Sequence, residues 1–436
     1  MGLIRSFKLP FLRRRISAVA GGDSSAELSF PHHFRCPISL DLMKDPVTLP
    51  TGITYDRTSI ETWLDAGNRT CPVTKQPLFI LAGNADHLIP NHTLRRMIQE
   101  WCVAHRSLGI ERIPTPKTPI TALQVAETLS EISAACRRGD SHLCSQLAAK
   151  LKKWAAESER NRRCISSNGA ARVLAAAYRD SSSEQILSAI AGILPLDEEA
   201  RRQLASPESL SSIVSAMGSA NLCARLHAVM VVREIAAANT EESVMIARTN
   251  GLPEALLKLI KEPISPQATK VALVATYYLA AADEITASRF AALGMVPLLL
   301  EMLVETERRL CEKVLAALDS ILGTKAGREM AAGNDLAVPV IVKKMLRVSD
   351  AATELAVSGL WKLCRENGSN GLSGGEKCLK EAVQVGAFQK LLLMLQVGCS
   401  ESTKEKVTEL LKMMNGFRGQ MECIESVDFR GLKRPF

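Results

Sequence analysis

From about residue 121 onward, apolar residues recur three and four positions apart almost throughout, the spacing of helices that bury one face. The pattern is punctuated at a regular interval. Gly251-Leu-Pro-Glu-Ala-Leu-Leu257 and Gly294-Met-Val-Pro-Leu-Leu-Leu300 share a form: glycine, an apolar residue, proline, then a leucine-rich helix. Gly169 and Gly386 open similar segments without the proline, and Leu336–Val342 repeats the form without the glycine. Gly169, Gly251 and Gly294 are separated by 82 and 43 positions, two periods and one period of about 42. A second ladder keeps the same register: apolar helices end near Ile193, Ile235, Leu279, Ile321, Leu363 and Met413, in steps of 42, 44, 42, 42 and 50. The last step is long because residues 367–377 insert a polar, glycine-rich loop. Glycine closes one helix in a left-handed conformation, and proline suits the first turn of the next, where its missing N–H leaves no bond unmade. A unit of two or three such helices cannot bury its apolar face alone, so neighbours must stack. The reading is an array over residues 121–415 of about six units, preceded by a degenerate unit at 121–165, with 416–436 as a tail.

Residues 31–105 have a different texture: proline, threonine and polar residues in short mixed segments, the pattern of a small α/β unit. It predicts a hairpin turning at Pro50-Thr51-Gly52, a helix from Arg57 to Ala66 with Asp56 as N-cap, and a second helix from His92 to Arg106 with Leu94, Met97, Ile98 and Trp101 on one face. Residues 106–120 read as a linker, because Pro114, Pro116 and Pro119 prevent a continuous helix. Residues 1–30 form a basic, then glycine- and serine-rich lead.

Composition narrows the function classes. Of 436 residues, 4% are aromatic, which fits aliphatic stacked helices. The net charge of +8 suggests nucleic acid, but Arg5, Lys8, Arg13, Arg14 and Arg15 supply five of those charges with no acid in residues 1–22. The remaining chain is near neutral, so a basic nucleic-acid-binding face is not expected. The twelve cysteines are nowhere closer than eight positions, so no Cys-x-x-Cys pair exists for zinc or redox chemistry. They read as free thiols of a cytoplasmic protein. Val271–Ala282, among the longest apolar runs, is too short to span a bilayer. No P-loop, Gly-x-Ser-x-Gly or His-Glu-x-x-His motif occurs.

The informative segment runs Phe34-Arg-Cys-Pro-Ile-Ser-Leu-Asp-Leu-Met43, Asp45-Pro-Val47, Thr51-Gly-Ile-Thr-Tyr-Asp-Arg57, Ile60-Glu-Thr-Trp-Leu64, Cys71-Pro-Val-Thr-Lys-Gln-Pro-Leu78 and Leu88-Ile-Pro-Asn-His-Thr-Leu-Arg95. In this order it resembles the U-box, the zinc-free relative of the RING domain. A RING needs about eight paired Cys and His ligands. Here Cys36, Cys71 and Cys102, with His32, His33, His87, His92 and His105, do not fall into two tetrahedral sets. No metal or cofactor is expected; hydrogen bonds and ion pairs must hold the loops, with Asp56, Arg57, Glu61, Thr74 and Asn91 as candidates.

The resemblance implies an E3 ubiquitin ligase. Its U-box binds a ubiquitin-charged E2 enzyme through a shallow apolar groove, and the matching positions are Ile38 and Leu40 in the first loop, Trp63 on the helix and Pro72 in the second loop. The thioester stays on the E2, so no nucleophile is expected on this chain. Lys75, three positions after Pro72, matches a cation that contacts both E2 and ubiquitin in that family. Where relatives carry arginine, a lysine offers a point charge rather than a planar fork. The glycine–proline openings resemble armadillo repeats. The whole layout, mainly α with a small α/β U-box before an armadillo superhelix, resembles the plant U-box/armadillo ligases, many of which restrain immune or stress signalling.

An armadillo groove, lined by third helices, implies a docked protein substrate. Trp361 is followed four positions later by Arg365, not asparagine, and no Trp-x-x-x-Asn ladder for basic nuclear signals appears. Self-association through the U-box is a further expected partner mode, and a non-catalytic adaptor with a degenerate U-box is the alternative function. Met1-Gly2-x-x-x-Ser6 fits an N-myristoylation pattern at Gly2, and the basic cluster would supply the second membrane signal for plasma-membrane association.

Overall fold

The computed structural model describes residues 31–78, 88–115, 119–238, 241–305, 307–365 and 374–418. The chain divides into two units between residues 118 and 119.

In the first unit a turn of 3-10 helix, His32–Phe34, leads to strand β1 (Pro46–Thr48), strand β2 (Thr54–Asp56) and helix α1 (Arg57–Asp65). Strand β3 (Ile89–Pro90), helix α2 (His92–Ala104) and a 3-10 turn, Arg106–Leu108, follow. The sheet order is β2-β1-β3, all antiparallel, with Val47 opposite Tyr55 on one side and Pro90 on the other. The hairpin turns where the sequence places it: Gly52 has φ +80°, and its amide donates to the Leu49 carbonyl at 2.9 Å. The third strand was not expected. It is two residues long and has no alternation to read.

Two readings change in detail. Asp56 is the N-cap of α1 by position, but its carboxylate does not bond the helix backbone; it turns to the first loop. Residues 110–113 also do more than link: Ile113 is buried in the small unit's core with Ile110 packed against it, and Gln99 Nε2 donates to the Ile113 carbonyl at 3.1 Å.

The second unit is helical throughout its described residues. The first repeat holds α3 (Ala122–Arg137) and α4 (Ser141–Glu157), and the second holds α5 (Glu159–Ser167), α6 (Ala170–Ser181) and α7 (Glu184–Gly192). The third holds α8 (Glu198–Leu204), α9 (Pro207–Met217) and α10 (Leu222–Ala236), and the fourth α11 (Glu241–Ala247), α12 (Leu252–Lys261) and α13 (Pro266–Ala282). The fifth holds α14 (Glu284–Ala292), α15 (Met295–Glu305) and α16 (Arg308–Ile321), and the sixth α17 (Lys325–Ala332), α18 (Ala337–Lys344) and α19 (Asp350–Cys364). The last holds α20 (Gly374–Gln384), α21 (Ala387–Val397) and α22 (Glu401–Arg418), so helix continues three residues past the expected end of the array. The degenerate first unit is shorter than expected, because α5 is the opening helix of the next repeat.

Third helices pack consecutively, α4 on α7, then α10, α13, α16, α19 and α22. Their buried faces form one continuous core. Gly251 shows why the punctuation is glycine: its φ is +80°, and a Cβ there would lie 3.3 Å from Val214 Cγ1. Pro253 then sits in the first turn of α12. Among the described residues no single helix is long and apolar enough to cross a membrane.

Candidate functional site

The small unit carries one loop twice. Cys36 N–H donates to the Asp41 carbonyl and Leu40 N–H to the Cys36 carbonyl, both at 2.9 Å. Cys71 N–H donates to the Gln76 carbonyl and Lys75 N–H to the Cys71 carbonyl, again at 2.9 Å. Isolated bridges close both loops, Arg35 with Leu42 and Thr70 with Pro77. Ser39 Oγ accepts from the Asp41 amide at 3.4 Å, as Thr74 Oγ1 does from the Gln76 amide at 3.5 Å. Every partner is displaced by the same interval.

Consecutive residues of β2 hold the two loops, because neighbours on a strand point to opposite faces. Asp56 takes the first loop: its amide donates to Cys36 Sγ at 3.3 Å, and its Oδ1 accepts the Lys44 and Asp45 amides at 2.8 and 2.9 Å. Tyr55 takes the second: its hydroxyl lies 3.1 Å from Cys71 Sγ and accepts the Val73 amide at 3.3 Å. Thr51 Oγ1 also donates to Cys71 Sγ, at 3.4 Å. Burial pushes the Cys71 thiol up, but hydrogen bonds from Thr51, Thr74 and Tyr55 outweigh it and bring it to about 6. Burial and the bond to Cys71 push the Tyr55 phenol up. Both cysteines are wholly buried as hydrogen-bond acceptors. Among the described residues no cluster of His, Cys, Asp and Glu forms a metal site.

The ion-pair hub is Asp45, which the sequence reading did not single out. Arg57 Nε donates to its Oδ2 at 2.7 Å and Arg95 donates to its Oδ1, joining the first loop to both helices. Of the residues that were singled out, Arg57 also reaches Glu61 at 3.7 Å. Asn91 caps α2 by accepting the Leu94 amide at 2.9 Å, and its Nδ2 reaches Thr48 and Thr54 at 3.4 Å. Thr74 acts within its own loop.

On this scaffold the expected partner-binding side chains fall as follows. Ile38 and Trp63 are half-buried and pack on the same core. Leu40 is 68% exposed at φ +61°. Pro72 is half-buried. Trp63 is tied to the second loop, its Nε1 donating to the Thr70 carbonyl at 2.8 Å while Asn68 Nδ2 donates to its own carbonyl at 3.0 Å. Lys75, at φ +60°, holds its ammonium 5.9 Å from the centre of the Trp63 ring, within reach of a cation–π attraction. The structure therefore links Trp63 directly to the second loop, and packs Ile38 against the same core. The reading missed Val73, which is 52% exposed and stands where Ile38 stands in the first loop. Aligning the two Cys-Pro segments would have found it. Gly2 lies outside the described residues.

Comparison with known proteins agrees with this geometry. Residues 30–107 match the family model of the U-box domain, and residues 124–433 match that of the plant U-box protein ARM repeat region. The chain is 41% identical to U-box domain-containing protein 21 of Arabidopsis thaliana, over 95% of each chain. It is 33% identical to E3 ubiquitin-protein ligase PUB23 of the same plant, over 91% of this chain and 95% of that one. A crystal structure of an engineered protein shares the fold over 68% of this chain and 72% of its own, at 18% identity and a TM-score of 0.53. With a U-box built from two matching loops and an armadillo repeat region behind it, this chain belongs to the family of plant U-box proteins.

Proposed function

We propose that this chain is an E3 ubiquitin ligase in plant immune or stress signalling: its U-box recruits a ubiquitin-charged E2, and its armadillo array docks the protein whose lysines receive ubiquitin. The observation that carries this reading is the pair of loops. They expose Leu40 and Val73 at 68% and 52% and keep Ile38 and Pro72 half-buried, with Trp63 tied to the second loop through Thr70. A folding core has no use for Leu40 and Val73 in water; a compact apolar patch with a polar rim suits a weak, exchangeable protein partner. Lys75 stands at the edge of that patch as a cation for the E2–ubiquitin conjugate.

The thioester remains on the E2, and a substrate lysine attacks it. The chain contributes proximity and orientation. Three of its cysteines do not read as nucleophiles: burial pushes the thiols of Cys311 and Cys364 up, and Cys71, although brought to about 6, is wholly enclosed. The basic lead with Gly2 would bring part of the protein to a membrane surface; a Gly2→Ala variant that partitions like the wild type removes that part of the proposal.

The test is reconstitution with E1, ubiquitin and a panel of E2 enzymes. Chain formation should be lost in Ile38→Ala and Pro72→Ala and retained in Cys223→Ser, whose thiol is exposed. Absence of activity with every E2 points to an adaptor, and a thiol-sensitive ubiquitin adduct on this chain points to a transferase with its own cysteine.

A further inference from the structure

The open face of the third helices has a regular floor. Ser188, Met230, Val274, Ala316 and Ser358 each stand five positions before an apolar ladder residue, Ile193, Ile235, Leu279, Ile321 and Leu363. They occupy one station on α7, α10, α13, α16 and α19, uncharged throughout. At each end of the row, the flanking helix brings a lysine to the nearest serine. Lys152 of α4 donates to Ser188 Oγ, and Lys406 of α22 donates to Ser358 Oγ at 3.1 Å. Among the described residues neither ammonium has a carboxylate partner.

Lys270 and Lys313 stand one turn before Val274 and Ala316, near enough that the charge of Lys270 lowers the Lys313 ammonium after burial does, and the charges next to them in the row are bonded to one another. Lys362 pairs with Asp319 at 2.7 Å, Arg365 with Glu409 at 3.9 Å and Arg233 with Glu234 at 2.9 Å. Lys152 and Ser188 line a concavity of about 200 Å³ between α4, α7 and α10, together with Glu184, Asn221, Cys223 and His227. The acid in that concavity is already engaged: Glu184 accepts from Ser219 Oγ at 2.9 Å and from Asn221 Nδ2 at 2.8 Å. Burial and then the charge of Lys152 hold the His227 imidazole below its usual range. The concavity therefore disfavours a further proton and favours an anion.

The geometry points to an extended protein segment as occupant, with an apolar centre over Met230, Val274 and Ala316 and a carboxylate side chain at each end, one on Lys152 and one on Lys406. This deepens the substrate-docking reading of the array and rests on it. From Ser188 on α7 to Ser358 on α19, four helix-to-helix steps of about 9 Å span roughly 36 Å, which an extended chain covers in about 11 residues. Glu405 and Glu409 flank Lys406 on α22, so the Lys152 end carries more of the affinity.

The test uses the full chain and a fluorescein-labelled 12-residue peptide with glutamate at both ends and an alanine/leucine centre, compared with the same peptide ended by glutamine. The glutamate peptide should bind more tightly, and less so as salt rises. Lys152→Met should weaken it about tenfold, the scale of one charge-assisted hydrogen bond, without affecting the glutamine peptide. Lys152→Arg should retain binding, and Lys406→Met should cost less. The His227 ring should titrate at higher pH with the glutamate peptide bound. Equal binding of the two peptides, or discrimination that survives Lys152→Met, overturns the carboxylate assignment while leaving a docked segment. Binding of neither peptide overturns the assignment and the docking reading together.

Discussion

Leu40 and Lys75 occupy the same station in two copies of one loop. Each has φ near +60°, and each amide donates at 2.9 Å to the carbonyl of the cysteine four residues before it. The backbone, not the side chain, fixes both positions, since one carries an exposed leucine and the other an exposed lysine. The loop is a fixed mount on which the outward side chain is free to serve a partner.

A left-handed conformation costs a branched residue about 1–2 kcal/mol, and glycine is spared it but loses up to about 1 kcal/mol through its freer unfolded chain. Leu40→Gly should therefore leave the stability of the U-box within about 1 kcal/mol of wild type. Ubiquitin transfer should nevertheless fall several-fold, because the exposed apolar surface is gone. Thermal melts beside an E2-discharge assay separate the two effects; parallel losses would assign Leu40 to folding instead.

Asp45 joins the first loop of the U-box to both of its helices. It receives both Arg57 and Arg95, and both sit largely out of water. Removing one partner from such a network leaves buried charge uncompensated, at a cost of about 3–5 kcal/mol. Asp45→Asn should unfold the U-box near room temperature while the array keeps its helical circular dichroism. Treatment of the wild type with a strong zinc chelator should leave the melt unchanged, since Cys36 and Cys71 are committed to hydrogen bonds.

The array was legible because its period is written in glycine, proline and apolar residues that act locally. Gly251 and Pro253 announce the start of α12 without knowledge of any neighbour. The U-box was legible as a motif but not as a network. Asp45 and Arg95 are 50 positions apart, and no local rule joins them. Asp56 shows the limit within a single residue: its place before α1 is a sequence signal, but its carboxylate serves a backbone 11 and 12 positions upstream. Val73 was legible too, since Cys36-Pro-Ile-Ser39 and Cys71-Pro-Val-Thr74 align position for position, but the two segments lie 35 positions apart and no local rule compares them.

Cys71 gives the U-box a pH dependence. Its thiol is brought to about 6, below the 8.5 or so of an unfolded thiol. A group depressed on folding adds stability above its unfolded value and loses it as pH falls through the folded one. The U-box should thus gain stability from pH 6 to about 8.5. Trp63 and Trp101 lie in this unit and Trp154 and Trp361 in the array, so fluorescence-detected melts of a Trp154→Phe/Trp361→Phe background report on the U-box. Cys71→Ser should flatten the trend, and an unchanged slope in that variant would set the thiolate aside.

The join between the fourth and fifth repeats depends on Asp283. It is the N-cap of α14 and is 6% exposed. Its Oδ2 accepts from the Thr286 amide at 2.9 Å and from the Thr286 hydroxyl at 2.7 Å, while Arg248, just beyond α11, donates to Oδ1 at 2.8 Å. Thr286 Oγ1 also lies 3.0 Å from the Ala247 carbonyl. One carboxylate thus caps one helix and holds the end of another. Burial acts to raise its pKa, but the bonds from Arg248 and Thr286 win and lower it. Its contribution is therefore complete above about pH 4, the unfolded value, and fades as pH drops through the lower folded value. Asp283→Ala should cost about 1–2 kcal/mol at pH 7, the scale of a lost cap, and the gap to wild type should narrow below pH 4. Because repeat arrays need not unfold in one step, hydrogen exchange over residues 283–292 is the direct readout. Faster exchange confined to that stretch and its neighbour α11 confirms a local clamp. Acceleration spread evenly over the array would mean that Asp283 supports the whole stack instead.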